Sequence, residues 1–226
     1  MSLFWRKGYT DTSMAEIVAE TGMNRYALYG RFGSKRDIFL AALEVYFEQG
    51  RQTFEPFMLD PTTPPIARLV RCLALMIEVM DREGTGCFIC HVASQESGDD
   101  PEIAQAIADY FARIHGAMEI TMCHARAAGV LNPALTTGQA AQLLLDAKLA
   151  MGVRVRAGLG TEALVQVANA TLAALAAPGV LTEADRLSPD AIADAARANP
   201  PAKDPDRDPD RDPNQDPDQD ADADPA

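Results

Sequence analysis

The amino-acid sequence predicts an all-α protein, with a small amino-terminal three-helix domain followed by a larger helical body. Ala, Leu and Val dominate its hydrophobic residues, which make up 47% of the chain, while aromatic residues are few. Apolar residues recur three and four positions apart over long stretches, as they do on the buried face of an α-helix. Helix-capping residues precede several of these stretches, so the sequence predicts where helices begin as well as which faces are buried.

Residues 12–35 predict two short helices joined by a turn that contains glycine. The first is expected to begin at Ser13, which stands three residues before a glutamate in the spacing of a capping box, and to end at Gly22. Asn24 then caps a second helix that runs through Phe32. This arrangement is typical of the helix-turn-helix that places its second helix in the major groove of DNA.

The helices that follow are predicted from their caps and apolar stripes. Ser34 stands three residues before an aspartate, which favours a long helix from there to about Phe54. Gly and Pro residues separate the stripes beyond it. These stripes predict helices that begin at Pro65, Cys87 and Pro101, and two further helices over residues 137–156 and 161–176.

A spaced set of residues near the amino terminus carries a family resemblance: Leu3-Phe4, Gly8-Tyr9, Thr12-Ser13, Ile17, Gly22-Met23, Leu28-Tyr29, Phe32 and Ser34-Lys35. Together they resemble the DNA-binding domain of the TetR family of bacterial transcriptional regulators. Compared with that family, the first helix is expected to lack its upstream turns, and Arg31 stands where many members have His. The resemblance implies a DNA-binding domain over residues 1–50 and a helical effector-binding and dimerisation domain over residues 51–180, whose last two helices pair with a second subunit as a four-helix bundle.

The resemblance also implies which residues line the DNA, namely Ser13, Met14, Arg25, Tyr26, Ala27, Tyr29, Gly30, Arg31 and Lys35. On a helical wheel, Leu28 and Phe32 share one face and are expected to pack into the domain. Base reading is then expected of Arg25 and Tyr26, because Ala27 and Gly30 offer no side-chain hydrogen bond. The remaining Tyr, Arg and Lys side chains suit phosphate contacts.

The net charge of −13 comes mainly from the carboxyl-terminal end of the chain. Residues 183–226 carry five Lys or Arg and fourteen Asp or Glu, whereas residues 1–50 carry six of each. The acidic total therefore does not argue against a DNA partner. Residues 199–226 repeat Asp and Pro without large apolar residues, which predicts a disordered acidic tail. A solvated tail is the simpler interpretation, and a partner-binding or DNA-mimicking tail is the alternative.

The segment Cys87-Phe-Ile-Cys90-His91 matches the C-x-x-C-H pattern of c-type haem attachment. Haem attachment is not expected, because it goes with export and the chain begins without the apolar core of a signal peptide. On a helix, Cys87 lies one turn from both Cys90 and His91, so the three are candidates for metal binding or thiol sensing. The alternative is that these cysteines are small apolar residues of a core helix.

Taken together, the resemblance implies a homodimeric transcriptional regulator, most simply a repressor that leaves a palindromic operator in double-stranded DNA when a small molecule, electrophile or metal binds. No enzyme activity and no cofactor are expected, because the sequence contains no Walker loop, dinucleotide fingerprint or recognisable catalytic set. The absence of a long apolar run predicts a cytoplasmic protein with no membrane partner. The alternative is a redox- or metal-binding helical protein whose DNA-binding domain is not functional.

Overall fold

The computed structural model describes residues 1–84, 86–95 and 100–198. This part of the chain contains an isolated bridge between Leu131 and Ala176 but no strand, which confirms the all-α prediction. The predicted acidic tail lies outside the described residues. In chain order the helices are α1 (Ser2–Lys7), α2 (Met14–Thr21), α3 (Arg25–Phe32), α4 (Lys35–Met58), α5 (Pro65–Glu83), α6 (Phe88–Gln95), α7 (Pro101–Ala127), α8 (Thr137–Arg156), α9 (Thr161–Leu175), a 3-10 turn (Glu183–Asp185) and α10 (Pro189–Ala198).

Helices α2 and α3 begin at the predicted caps. Ser13 Oγ accepts a hydrogen bond from the Glu16 backbone N–H at 3.2 Å, and the Glu16 carboxylate accepts one from the Ser13 backbone N–H at 2.8 Å. The helix ends at Gly22, whose φ of 67° lies in the left-handed region that glycine adopts without strain. Asn24 Oδ1 then accepts from the Ala27 N–H at 2.8 Å and starts α3. The predicted helix-turn-helix is confirmed.

Helix α4 extends further than the sequence suggested. We expected it to end near Phe54, but it continues past Pro56 to Met58. The reason lies in tertiary contacts at its last turn, where Arg68 Nη1 donates to the Met58 carbonyl at 3.0 Å and Thr121 Oγ1 donates to the same oxygen at 2.9 Å. These bonds satisfy a carbonyl that would otherwise lack a partner at the helix end.

The body packs α7 against α8 and α8 against α9, while α5 contacts α4 and all three of these helices. Its apolar side chains are buried as their spacing predicts, with Leu69, Leu73 and Ile77 of α5 at most 1% exposed. Helix α8 has the predicted bounds, and α9 ends one residue earlier than predicted. Helix α10, which the sequence did not predict, packs on α5. No helix among the described residues is long and apolar enough to cross a membrane.

An aromatic junction, made of Phe4, Trp5, Phe39, Tyr46 and Phe88, joins the amino-terminal helices to the body. Phe88 of α6 stacks on Trp5 of α1 with ring centroids 5.8 Å apart. Tyr46 and Phe39, both on α4, form T-shaped pairs with the same ring, with ring centroids 5.5 and 6.1 Å apart. Aromatic pairs at these separations are attractive beyond their apolar burial. The junction therefore links α1, α4 and α6 into one continuous core.

Candidate nucleic-acid interface and ligand cavity

The outer face of α3 presents the side chains predicted to read bases. Tyr26 is 88% exposed, although a tyrosine of this size is usually at least half-buried. Arg25 is also exposed, and its guanidinium lies 5.6 Å from the centre of the Tyr29 ring. Leu28, on the opposite face, is buried, which confirms its predicted packing role. The helix therefore combines a packed inner face with an exposed basic and aromatic outer face.

The other residues predicted to contact DNA differ in their solvent exposure. Ser13, Gly30 and Arg31 are exposed, and Ala27 is half-buried. Met14 is 9% exposed and belongs to the hydrophobic core, because the first residue of α2 points into the domain. The structure thus gives Met14 a packing role, and we do not include it among the proposed contacts.

Lys35 lies at the start of α4 and is held in place by its neighbours. Its ammonium donates to the Thr10 carbonyl at 3.3 Å and sits 4.5 Å from the centre of the Tyr9 ring. Arg31 similarly lies over the Phe32 ring at 5.4 Å. These contacts restrict two long cationic side chains beside the exposed face of α3, which lowers the entropy cost of a phosphate contact.

A cavity of about 340 Å³ opens between α4 and α7 in the body. Its walls are mainly apolar, formed by Phe47, Phe54, Met58, Met76, Ile114 and Met118. The charged residues Glu44, Glu48, Arg51, Glu55 and Arg113 surround its mouth. Its inner end reaches Tyr110 and Lys148. A volume above roughly 300 Å³ with apolar walls and few polar groups is typical of small-molecule sites.

Lys148 is the centre of a buried polar cluster at the inner end of this cavity. It is 5% exposed, and its Nζ donates to Tyr110 Oη at 3.1 Å and to Cys87 Sγ at 3.4 Å. Tyr46 Oη lies 3.4 Å from the same sulfur. Cys87 can approach α8 this closely because residue 152 is a glycine, where an added Cβ would lie 2.8 Å from the Cys87 Cβ.

The cluster shifts the protonation of its members. A hydrogen bond from the Cys90 thiol lowers the pKa of Cys87 well below its ordinary value, and the Lys148 charge and the Tyr46 hydroxyl act in the same direction against burial. The hydrogen bond to Cys87, followed by burial, raises the pKa of Cys90. Burial works to lower the pKa of Lys148, but the neighbouring Cys87 and Tyr110 raise it above its ordinary value. These shifts act in the direction of a thiolate on Cys87 beside an ammonium on Lys148.

The structure brings Cys87 and Cys90 together but gives His91 a different partner. His91 Nε2 lies 3.2 Å from Arg156 Nη2, and the imidazole is buried. Among the described residues, no group of three or more His, Cys, Asp or Glu side chains is placed to hold a metal ion. The thiol-sensing hypothesis thus concerns a Cys pair and a lysine, in an arrangement that differs from the predicted set of two cysteines and a histidine.

The sequence analysis did not identify Lys148, Tyr110 or Tyr46 as site residues. A signal for Lys148 was present, because it lies four residues after Leu144 and three before Met151 on the apolar face of α8. A single cation on such a face is rare without a partner or a function. Its contact with Cys87 joins residues 61 positions apart, and periodicity carries no such long-range information.

Comparisons with known proteins agree with this architecture. The family model for bacterial regulatory proteins of the tetR family matches residues 1–42. The HTH-type transcriptional repressor ComR of Escherichia coli is 27% identical over 174 residues, which cover 76% of this chain and 83% of that protein. The match to ComR therefore extends well beyond the helix-turn-helix into the body.

Solved structures establish the fold independently. The reduced form of Escherichia coli NemR has a TM-score of 0.71 at 17% identity, with 79% of this chain and 93% of that chain covered. A cysteine mutant of the regulator CifR, solved with a 26-base-pair operator DNA, has a TM-score of 0.69 at 20% identity, with 77% and 91% covered. From the family match, the relative that spans most of the chain and the shared fold, this chain belongs to the TetR family of bacterial transcriptional regulators.

Proposed function

We propose that this protein is a DNA-binding transcriptional repressor, with a DNA-binding part over residues 1–50 and an effector-binding and dimerising part over residues 51–180. The observation that carries the proposal is the exposed face of α3, with Arg25 and Tyr26 projecting from a helix whose other face is packed. A named repressor, ComR, and an operator-bound neighbour, CifR, support it by similarity.

In this proposal, Arg25 and Tyr26 contact base edges in the major groove, and the Ala27 methyl and Gly30 backbone allow a close approach. Phosphate and backbone contacts are proposed for the remaining exposed residues, which fix the helix in the groove. These residues are Ser13, Tyr29, Arg31 and Lys35. The Ser13 hydroxyl is engaged in the α2 cap, so a phosphate contact there would come at the helix start, where the backbone N–H groups favour anions.

The second subunit is proposed to be another copy of this chain. Leu143, Ala150 and Val153 form an exposed stripe on one face of α8, and Ala170 and Ala174 are exposed on α9. Small and apolar exposed residues on two adjacent helices suit a four-helix interface with a symmetric copy. Such a dimer would present its two α3 helices to half-sites of a palindrome about 34 Å apart.

Release from DNA is proposed to follow from effector binding in the cavity. Residues of α4 from Glu44 to Met58 line the cavity, and the same helix packs against α3. A ligand that favours one position of α4 therefore selects among different positions of the DNA-reading helices. If the favoured position has the wrong spacing for two successive half-sites, the operator affinity falls.

Chemical modification of the cysteine pair is proposed as a second way to release the protein from DNA. Cys87 immediately precedes Phe88, which packs on Trp5 of α1 and on α4 in the aromatic junction. Oxidation or alkylation of Cys87 would separate the thiolate from Lys148 and displace the start of α6. We propose to test this with a variant in which Cys87, Cys90 and His91 are all replaced by Ala or Ser. If an oxidant or alkylating reagent that releases the unmodified protein from the operator also releases this variant, the cysteine hypothesis is excluded.

A gel shift tests the main proposal. Purified protein is incubated with DNA from upstream of its own coding sequence, over a range of salt concentrations, with and without candidate effectors. The repressor proposal is supported if the protein binds this DNA more tightly than random DNA and if the binding weakens as the salt concentration rises. Failure to bind this DNA, or any duplex selected from a random pool, would reject it. Bound metal in protein that has no DNA affinity would instead support the redox- or metal-binding alternative.

A further inference from the structure

Lys148 is the charged residue at the inner end of the cavity, and its protein contacts leave one donor unused. An ammonium carries three N–H donors. Two of them reach Tyr110 and Cys87, and among the described residues no carboxylate lies within 4.0 Å to form an ion pair with it. A lysine that is 5% exposed with no carboxylate partner is uncommon in protein cores. The third donor is available to a molecule in the cavity.

The charged residues at the mouth differ from Lys148 because each cation there has a carboxylate partner. Arg51 forms ion pairs with Glu48 at 2.6 Å and with Glu55 at 2.8 Å. Arg113 lies 3.7 Å from Glu44. A charged group of a ligand would have to break these exposed pairs to bind at the mouth. The cation without a carboxylate partner that a ligand meets is therefore the ammonium at the inner end, whose protein contacts are the Cys87 sulfur and the Tyr110 hydroxyl.

The walls between mouth and inner end favour an apolar molecule. Phe47 and Tyr110 stack with their ring centroids 4.4 Å apart, and methionines from α4, α5 and α7 complete the wall. Methionine and aromatic side chains adapt to ligands of different shape and bury apolar surface well. A compact polar metabolite would leave these walls without a partner, whereas an alkyl chain or ring would cover them.

We propose that the cavity binds an amphiphilic monoanion, a molecule with a carboxylate head and an apolar chain or ring, with the carboxylate on Lys148 and Tyr110. The head accepts the third N–H of the ammonium in a charge-assisted hydrogen bond, and the body lies along Phe47, Met76 and Met118. Such a bond is shorter and roughly twice as strong as one between neutral groups. Cys87 does not line the cavity, so a ligand meets the lysine before the thiolate.

Ligands with matched bodies and different heads test this inference. Octanoate, octanol and octylamine share an alkyl chain and carry a negative, a neutral and a positive head, and phenylpropanoate and phenylpropanol repeat the comparison with a ring. Binding to the purified full chain is measured by titration calorimetry at constant pH and salt. We expect at least one acid to bind about tenfold or more tightly than its alcohol. We expect octylamine to bind more weakly than octanol.

Two substitutions locate the head group. Lys148→Met keeps the length of the side chain and removes the charge, so the acid should bind no more tightly than the alcohol. Arg113→Met removes an exposed cation at the mouth and should leave the preference for the acid unchanged. The inference is overturned if neither acid binds, if acid and alcohol bind equally to the unmodified chain, or if Arg113→Met removes the preference. The comparison on the unmodified chain does not depend on how well Lys148→Met folds.

The identification of this anion as the effector rests on the proposed repressor function, but its binding does not. Calorimetry is performed without DNA, and DNA binding is judged from the gel shift without added effector. A chain that prefers the acid but binds no DNA would reject the repressor function and keep the cavity inference. A chain that binds DNA but does not distinguish acid from alcohol would keep the repressor function and reject the cavity inference.

Discussion

Replacing Arg25 with alanine separates base reading from general DNA affinity. The guanidinium stands at the first position of α3, and its contact within the chain is the Tyr29 ring at 5.6 Å. The side chain is exposed and alanine favours helix, so the stability of the domain should change little. A bidentate contact of arginine with guanine discriminates by about 1–3 kcal/mol. The loss on the operator should therefore be about 1–3 kcal/mol per subunit.

A symmetric dimer carries this arginine twice. The loss then doubles to about 2–6 kcal/mol, and its lower limit already corresponds to a roughly 30-fold weaker operator complex. The operator is first obtained by selecting bound duplexes from a random pool. Both proteins are then titrated against the selected duplex and a scrambled duplex of the same length. Only the selected duplex should lose affinity, and a repeated selection with the variant should lose its preference at one base pair per half-site.

Lys35→Ala is the matched control because Lys35 is proposed to contact phosphate. It should weaken both duplexes alike and reduce the salt dependence by about one counterion per subunit. Equal losses on the selected and scrambled duplexes for Arg25→Ala would refute its assignment to base reading. The same result would move the base-reading role to Tyr26.

Four further predictions test other parts of the structure. Asn24→Ala removes the cap of α3 and should lower the free energy of unfolding by about 1 kcal/mol in urea titrations; an unchanged midpoint would contradict the cap. Val153→Arg places a charge on the proposed dimer face and should give a monomer by light scattering, whereas a persistent dimer would exclude that face. Because its pKa is lowered, Cys87 should react with a small alkylating reagent at nearly the same rate from about pH 7 to 9. The reaction rate of an ordinary thiol, with a pKa of about 8.5, rises roughly 20-fold over the same pH range. Cys72, whose pKa burial raises to about 12, is the unreactive control in residue-resolved mass spectrometry, and a steep rise for Cys87 would contradict the thiolate. Phe88→Leu removes three aromatic contacts worth about 0.5–1.5 kcal/mol each, so urea titrations should show a loss of about 1.5–4.5 kcal/mol. A smaller loss would mean that the junction contributes only apolar burial.

Local signals made the helix-turn-helix predictable from sequence. The caps at Ser13, Asn24 and Ser34 are side-chain contacts over three residues, so the chain order alone determines them. The end of α4 was not predictable in this way. Its last turn depends on Arg68 and Thr121, which are far along the chain, and their hydrogen bonds outweigh the local tendency of Pro56 to end a helix.

The ligand cavity shows the same limit more strongly. Apolar spacing indicates which face of a helix is buried, but burial against a void and burial against a neighbour have the same periodicity. The partners of Cys87 could not be identified because Lys148 and Tyr46 lie on different helices. Met14 is the reverse case, since the family correspondence predicts it at the DNA while its position in the core gives it a packing role.

The anchored end of α4 makes the rest of that helix a rigid arm. Arg68 and Thr121 hold the Met58 carbonyl, so the carboxyl-terminal turn is the fixed point and displacement grows toward the amino-terminal end. With a rise of 1.5 Å per residue, the 24-residue helix is about 36 Å long. A tilt of about 5° around Met58 would then move the Lys35 end by about 3 Å, which approaches the spacing of one base pair. In the proposed release mechanism, a ligand that displaces the middle of α4 by about half that distance would shift each DNA-reading helix by nearly one base pair.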